Sequence, residues 1–288
     1  MGATEQKVVL ITGCSSGIGR AAARRFAAEG FRVYASMRRP EAAAELRAEA
    51  ASSNWALFTP ALDVTSDASV DAAVSALLAE TGGRLDVLVN NAGYYLLGPI
   101  EETGPDQLRA LFETNVFGVQ RVTRAVLPAM RARGAGAIVN ISSVAGRVAV
   151  PVAGAYHSSK WALECLSETL RYELRPFGIR VVIVEPGPFK TALHDKETVY
   201  DRLDSPYRPL VDEYQRRSHA MKRRDPGAVV DVILRAATSA RPRLRWPVGP
   251  TSFTGTLLRR LTPDAIYELV LGLAFRWRRS RPPGPRVY

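Results

Sequence analysis

The chain of 288 residues has only two cysteines, three histidines and no long apolar run. Cys14 and Cys165 are too few for a disulfide framework, so a reducing cytoplasmic setting is expected. His157, His194 and His219 lack metal-ligand spacing; no metal site is expected, and the three are read as surface or loop residues. No apolar stretch approaches the roughly 18 residues that span a bilayer. The opening "MGATEQK" runs straight into an apolar strand, so no signal peptide is expected. Acidic residues are scarce at the far end: residues 241–288 hold ten arginines against Asp264 and Glu268, a balance of +8 out of a net +11. The rest of the chain has no basic helix of the groove-reading kind, so no nucleic-acid partner is expected.

What is present is ordinary for a soluble globular protein, with 47% hydrophobic and 23% charged residues. Val- and Ile-rich runs at 7–12, 32–36, 57–64, 85–90, 136–143 and 179–186 read as strands, with a seventh near 244–248. Segments of helical period lie between them at 17–29, 41–51, 67–80, 106–133, 155–176 and 226–238. Nearly continuous apolar strands alternating with helices predict an α/β fold, a doubly wound Rossmann-like parallel sheet of about seven strands with helices on both faces. Residues 1–250 read as one dinucleotide-binding catalytic domain with a substrate loop at 192–224, and 251–288 as a basic helical extension.

Two motifs carry chemistry. The first strand ends in "TGCSSGIG", which puts Gly13, Gly17 and Gly19 where strand turns into helix. Glycine lets backbone N–H groups and a helix N-terminus approach a pyrophosphate. In "YHSSK", Tyr156 and Lys160 stand four apart on one helix face. A phenol of ordinary pKa about 10 needs a nearby cation to exchange protons near neutrality, and the Lys160 ammonium is placed to favour the phenolate. A hydroxyl is also needed to hold a substrate oxygen, and "ISSVAG" offers Ser142 and Ser143, which alternation along a strand points to opposite sides.

These motifs, with "LDV" at 62–64, "NNAG" at 90–93, "NVFG" at 115–118 and "PGPFKT" at 186–191, resemble the short-chain dehydrogenase/reductase family. The wording "VYASMR" and "NAGYYLLGP" is most similar to the branch of steroid and retinol dehydrogenases. The resemblance covers roughly residues 7–240. It implies a direct hydride transfer to or from a nicotinamide, with Tyr156 exchanging the proton. Ser143, thirteen positions before the tyrosine, would orient the oxygen. Lys160 would bind the nicotinamide ribose, and Asn115 would hold a helix distortion and a water leading protons to the lysine. For the cofactor it implies contacts from Gly13, Ser15, Ser16, Gly17, Ile18 and Gly19, from Asp63 and Val64 at the adenine, from Asn90, Ala92 and Gly93 along its length, and from Pro186, Gly187 and Thr191. An epimerase or dehydratase relative and a catalytically silent dinucleotide sensor are the alternatives. The glycine spacing and modest length speak against the first, and the intact Asn115, Ser143, Tyr156 and Lys160 against the second.

Cofactor choice is read after the second strand. An NAD-preferring fold places Asp or Glu there for the ribose 2′-hydroxyl, whereas this chain has Ser36, Met37, Arg38 and Arg39. Arg38 can pair with a 2′-phosphate, so NADP(H) is expected over NAD(H). Leu193, Tyr200, Tyr207, Tyr214, Phe253, Leu257, Leu258, Tyr94, Tyr95 and Leu96 are candidate walls for a small lipophilic alcohol or ketone of steroid, retinoid or polyketide type. The family's pairing helices, here about 106–133 and 155–176, imply a homodimer or homotetramer. In the tail, Ile266, Leu269, Val270, Leu273 and Trp277 recur at helical spacing, with Arg276, Arg278, Arg279 and Arg281 at the end. The stripe is read first as a helix packed over the substrate site and second as a peripheral membrane contact.

Overall fold

A computed structural model describes residues 6–189, 202–221 and 224–275. Seven strands form one sheet in the order β3-β2-β1-β4-β5-β6-β7. They are β1 (Val8–Ile11), β2 (Arg32–Ala35), β3 (Leu57–Phe58), β4 (Val87–Asn90), β5 (Gly136–Ile141), β6 (Ile179–Pro186) and β7 (Arg245–Val248). Every pairing is parallel, from Val9 opposite Val33 and Val87 to Val184 opposite Trp246. The expected doubly wound sheet is the observed one.

Side chains alternate along each strand, so one strand feeds two cores. On one face Val9, Ile11, Val139 and Val184 pack with Phe26 of α1 (Gly17–Ala28) and Ile233 of a later helix, Gly227–Thr238. On the other, Val8, Leu10, Ile138 and Val181 meet Val74 of α3 (Asp67–Glu80) and Val126 of α5 (Gly118–Arg133). Between these lie α2 (Ala44–Ser52) and α4 (Pro105–Phe112), followed by α6 (Gly154–Leu174), α7 (Arg208–Ala220), the Gly227–Thr238 helix as α8, α9 (Pro250–Leu261) and α10 (Asp264–Ala274). Burial on both faces is why the strands read as unbroken apolar runs.

Two elements depart from expectation. The third strand is two residues long, extended only by a bridge from Met37 to Ala61, because Pro60 has no N–H to donate to a ladder. The helix expected over 106–133 is broken by a π-helical turn at Glu113–Phe117. Asn115 in that turn is fully buried, and its side chain is drawn sideways onto neighbouring elements. Such single π turns are concentrated at functional sites.

Candidate active site

The glycine turn is built to bring backbone close to a ligand. Gly13 (φ 74°) and Gly17 (φ 59°) occupy left-handed conformations. A Cβ on Gly13 would stand 2.8 Å from the Ala92 Cα, and one on Gly19 would stand 2.4 Å from the Asn91 Nδ2. The turn is therefore clamped against the end of β4. Thr12 Oγ1 accepts from the N–H groups of Asn91 (3.0 Å) and Ala92 (3.1 Å), and Asn91 Nδ2 donates to the carbonyls of Thr12 (2.9 Å) and Gly13 (3.1 Å). Arg20 braces the outside, donating to the Ser15 and Ala42 carbonyls at 2.8 and 3.1 Å. Sequence reasoning missed both Asn91 and Arg20; a polar residue one turn inside the glycine motif was the available signal for the second.

From this turn a cleft of about 1030 Å³ runs along the carboxyl ends of the strands, where open α/β sheets bind ligands. Gly13, Ser15, Ser16, Gly17 and Ile18 line its first part, and Gly19 lies behind them, packed on Gly13. Ser16 is the N-cap of α1 but its hydroxyl makes no capping bond, so the hydroxyl and the first N–H groups of the helix are available to an anion. Asp63 and Val64 line the next wall, with Asp63 held by accepting from the Thr65 N–H (3.0 Å) and hydroxyl (2.8 Å). Ala92 and Gly93 follow, and Pro186 and Gly187 close the opposite side. The cradle, which no Cβ could enter, fits a dinucleotide.

The expected contacts from Asn90 and Thr191 need correction or restriction. Asn90 does not line the cleft: its buried amide donates to Asn140 (2.9 Å) and Thr123 (3.1 Å) inside the sheet, so Asn91 occupies the wall instead. Ser36 also faces inward, donating to the Ile11 carbonyl at 3.1 Å, while Met37 and the exposed Arg38 border the cleft. Thr191 lies outside the described residues, as do Leu193, His194 and Tyr200.

At the far end of the cleft Tyr156, Ser143 and Lys160 come together. Ser143 caps a short 3-10 turn, Val144–Gly146, by accepting from the Ala145 N–H at 3.2 Å. Burial pushes the Tyr156 phenol up to about 12, a hydrogen bond with Ser143 acts in the opposite direction, and Tyr214 adds to the rise. The neighbouring Ser142 also borders the cleft, with its hydroxyl beside Gly146 and Glu164. Lys160 Nζ donates to the Ile141 carbonyl (2.9 Å) and stands 5.8 Å from the Tyr156 ring centre. Burial brings the Lys160 ammonium down to about 8, against the charge of Glu164. The expected lowering of the Tyr156 pKa by Lys160 is outweighed in the protein alone: both groups are buried, desolvation dominates, and the two move apart, the phenol up to about 12 and the ammonium down to about 8.

Asn115 is brought to the same place but does not line the cleft. Its Oδ1 accepts from the Tyr94 N–H (3.0 Å), and its Nδ2 donates to the Tyr94 carbonyl (3.0 Å) and Ser159 Oγ (3.1 Å). The π turn, the segment after β4 and the Tyr156 helix are tied together by one amide. His157 is corrected as well: it is buried beside Tyr156, with Nδ1 against the Val148 carbonyl, and burial lowers its pKa.

Behind the helix lies an ionic cluster that sequence reasoning did not find. Glu164 and Glu185 are almost fully buried around Arg245, at 2.9 and 3.6 Å, and Arg147 reaches Glu185 at 3.3 Å. Burial raises both carboxyls, Glu185 to about 7. The signal was the position of Glu164, one turn past Lys160.

The substrate end is lined by Tyr94, Tyr95, Val148, Val150, Tyr214 and Phe189. Tyr95 packs on the Tyr156 ring with centres 4.7 Å apart, and its hydroxyl meets that of Tyr214 on α7 at 2.6 Å. Leu96 is buried in a separate cluster, Tyr207 bonds to Glu101, and Phe253, Leu257 and Leu258 face outward, so none of these five is a wall of the cleft. Among the described residues no group of His, Cys, Asp and Glu is arranged to hold a metal.

A family profile described as short chain dehydrogenase matches residues 7–200. An uncharacterized oxidoreductase of Escherichia coli, YbbO, is 37% identical over 273 residues, covering 94% of this chain and 96% of its own. Human 17-beta-hydroxysteroid dehydrogenase type 1 is 39% identical over 253 residues, covering 83% and 76%. The crystal structure of a short-chain dehydrogenase from Streptomyces avermitilis superimposes with a TM-score of 0.80 at 39% identity, covering 93% and 97%. Among further similar structures, a short chain dehydrogenase from Burkholderia cenocepacia holds NADP (TM-score 0.74, 26% identity, 93% and 98% covered). One from Burkholderia phymatum holds NAD (TM-score 0.77, 26% identity, 98% and 99% covered).

Proposed function

The chain belongs to the short-chain dehydrogenase/reductase family and is an oxidoreductase of that family; from this premise we propose that it interconverts a lipophilic secondary alcohol and its ketone with NADP(H), using Tyr156 as the proton-exchanging group. The observation that carries the reading is the meeting of Tyr156, Ser143 and Lys160 at the apolar end of a cleft whose other end is the glycine cradle.

The bound nicotinamide would supply or accept the hydride. Ser16 and the N-terminus of α1 would hold the diphosphate, and Arg38, which has no ion-pair partner among the described residues, would meet a 2′-phosphate. Lys160 would turn from the Ile141 carbonyl toward the ribose. Ser143 would donate to the substrate oxygen. Tyr156, a phenol protonated at neutral pH and raised further by burial, is poised to give its proton to the oxygen of a ketone; in the reverse direction it must first lose that proton, and a cation brought to its side would lower the cost. The half-ring of Tyr94, Tyr95, Val148, Val150 and Phe189 suits an apolar substrate skeleton. The relative that acts on hydroxysteroids is consistent with this class.

The test is a screen of lipophilic ketones and alcohols against NADPH, NADP⁺, NADH and NAD⁺, following the absorbance of reduced nicotinamide. Turnover confined to polar substrates, or equal efficiency with both cofactors, would overturn the proposal.

A further inference from the structure

The two helices that follow the last strand are oriented the wrong way round for surface helices of a globular body. Such helices turn their apolar stripe inward. In α9, Phe253, Leu257, Leu258 and Leu261 fall on one face at i, i+4, i+5 and i+8, and all four are exposed. In α10, Ile266, Leu269, Val270 and Leu273 fall at i, i+3, i+4 and i+7; all are exposed, and no residue of the helix is buried. Leu261 and Leu273 each keep 72% of their surface in solvent. The first reading of the stripe, as a helix packed over the substrate site, is therefore corrected for these four side chains, which are exposed rather than packed; Trp277 lies outside the described residues.

The polar and aromatic sides of the same helices hold them to the body. Ser252 donates to the Glu185 carbonyl (2.7 Å) and Tyr267 to the Ala149 carbonyl (3.3 Å). Arg259 pairs with Asp264 at 2.7 Å and covers the Tyr267 ring, tying α9 to α10. The anchoring sides are thus accounted for, and the apolar stripes are what is left over.

Charge decides what can cover them. Arg260 is exposed at the end of α9, and the sequence after α10, "RWRRSRPPGPRVY", has five arginines, one tryptophan and no acid. A second copy seated on this face by a two-fold axis would bring together two basic ends, each with seven arginines against Asp264 and Glu268 over residues 250–288, a like-charge contact that opposes association. A nucleic acid would satisfy the arginines and leave eight large apolar side chains in water. A bilayer with anionic headgroups satisfies both, because exposed apolar side chains enter the acyl boundary while a basic sequence is drawn to the headgroups.

We propose that the α9–α10 hairpin docks this protein peripherally on an anionic membrane surface. The docking face flanks the cleft: Thr251 and Gly255 of α9 and Phe275 at the end of α10 are among its lining residues. A substrate dissolved in the bilayer would then enter the cleft beside the docked helices, a consequence that rests on the proposed function, whereas the docking does not.

The test is flotation of the full-length protein with vesicles of phosphatidylcholine alone and of phosphatidylcholine with phosphatidylserine, at low and high salt. We expect at least tenfold more protein to float with the anionic vesicles at low salt, and most of that to be lost at high salt. Leu269→Gln/Leu273→Gln should float at least tenfold less, with an unchanged melting temperature because both side chains are already exposed; Phe253→Ser/Leu257→Gln is the independent second variant. Protein that stays at the bottom of the gradient with anionic vesicles overturns the proposal, as does flotation that both variants leave intact. A dimer by light scattering that either variant converts to monomer, with no flotation, would assign the face to a second copy and overturn it equally. Inactivity toward lipophilic ketones would refute the proposed reaction and leave the flotation result standing.

Discussion

Replacing Arg245 by Met tests whether the cluster behind the catalytic helix is held together as described. The guanidinium bonds Glu164 at 2.9 Å and Glu168 at 2.6 Å and lies 3.6 Å from Glu185. Glu168 is more than a third exposed, so its share is small. Glu164 and Glu185 are 5% and 2% exposed, and removing the cation strands two buried carboxylates, a loss of about 3–5 kcal/mol when one partner of a buried pair is deleted. Because Arg245 keeps some solvent contact and Arg147 still reaches Glu185 at 3.3 Å, the lower end, about 3 kcal/mol, is expected. The pH dependence has a definite sign. Both carboxyls are raised by burial, Glu185 from 4.5 to about 7, so the folded state binds more protons than the unfolded one and stability falls as pH rises through that window. Without Arg245 both rise further, and the deficit should be smaller near pH 5, where the Glu185 carboxyl is protonated, than near pH 8, above its value of about 7. Urea denaturation followed by circular dichroism at about these two pH values measures it. A further Glu164→Met change should return most of the loss. A deficit equal at both pH values, or below about 1 kcal/mol, the range of surface pairs, would refute the reasoning.

Arg38→Leu should raise the KM for NADPH by roughly 10- to 150-fold, the worth of about 1.5–3 kcal/mol for a hydrogen bond to a charged group, and leave that for NADH nearly unchanged; steady-state kinetics with both cofactors checks this. Asn115→Ala leaves the Tyr94 N–H and carbonyl without their partners and should cost about 2–4 kcal/mol in urea denaturation, with kcat falling more than the substrate KM rises because the Tyr156 helix loses its tie to the π turn. Trp161, Leu166, Tyr172 and Phe117 are exposed on α6 and the π turn, and we expect them to be covered in a dimer or tetramer; light scattering at micromolar concentration should show more than a monomer, and Leu166→Glu should shift it toward one.

The strands were readable because a sheet covered on both faces leaves the same mark at every strand, an unbroken apolar run. Leu57–Phe58 is apolar too but lies at the sheet edge with Phe58 exposed, and the missing N–H of Pro60 ended that strand early. The π turn at Asn115 left no mark, since one inserted residue hardly changes a hydrophobic period over a helix of this length; resemblance alone pointed to it. A phase error explains the cofactor wall: Asn90 and Asn91 differ by one position in an element of period two, and which of the pair faces the cleft depends on where the strand ends. The proton chemistry was legible as residues but not as energetics. Tyr156 and Lys160 stand one turn apart as expected, yet burial, which sequence spacing does not report, moves the phenol up and the ammonium down. The tail is the clearest limit. Periodicity shows that a helix has an apolar stripe and carries no information about which way the stripe faces, so α10 reads identically whether it meets a core or a bilayer.

The account stands most directly on the Tyr156 hydroxyl as the group that exchanges the proton. In Tyr156→Phe the ring keeps its place against Tyr95 and the cleft keeps its shape; only the oxygen hydrogen-bonded to Ser143 is removed. Turnover with an active ketone and NADPH, measured beside NADPH binding by nicotinamide fluorescence, should fall by about 100- to 10,000-fold, the scale of general acid catalysis, while cofactor affinity stays near that of the unmodified protein. Near-normal turnover by the phenylalanine variant would contradict the account at its centre.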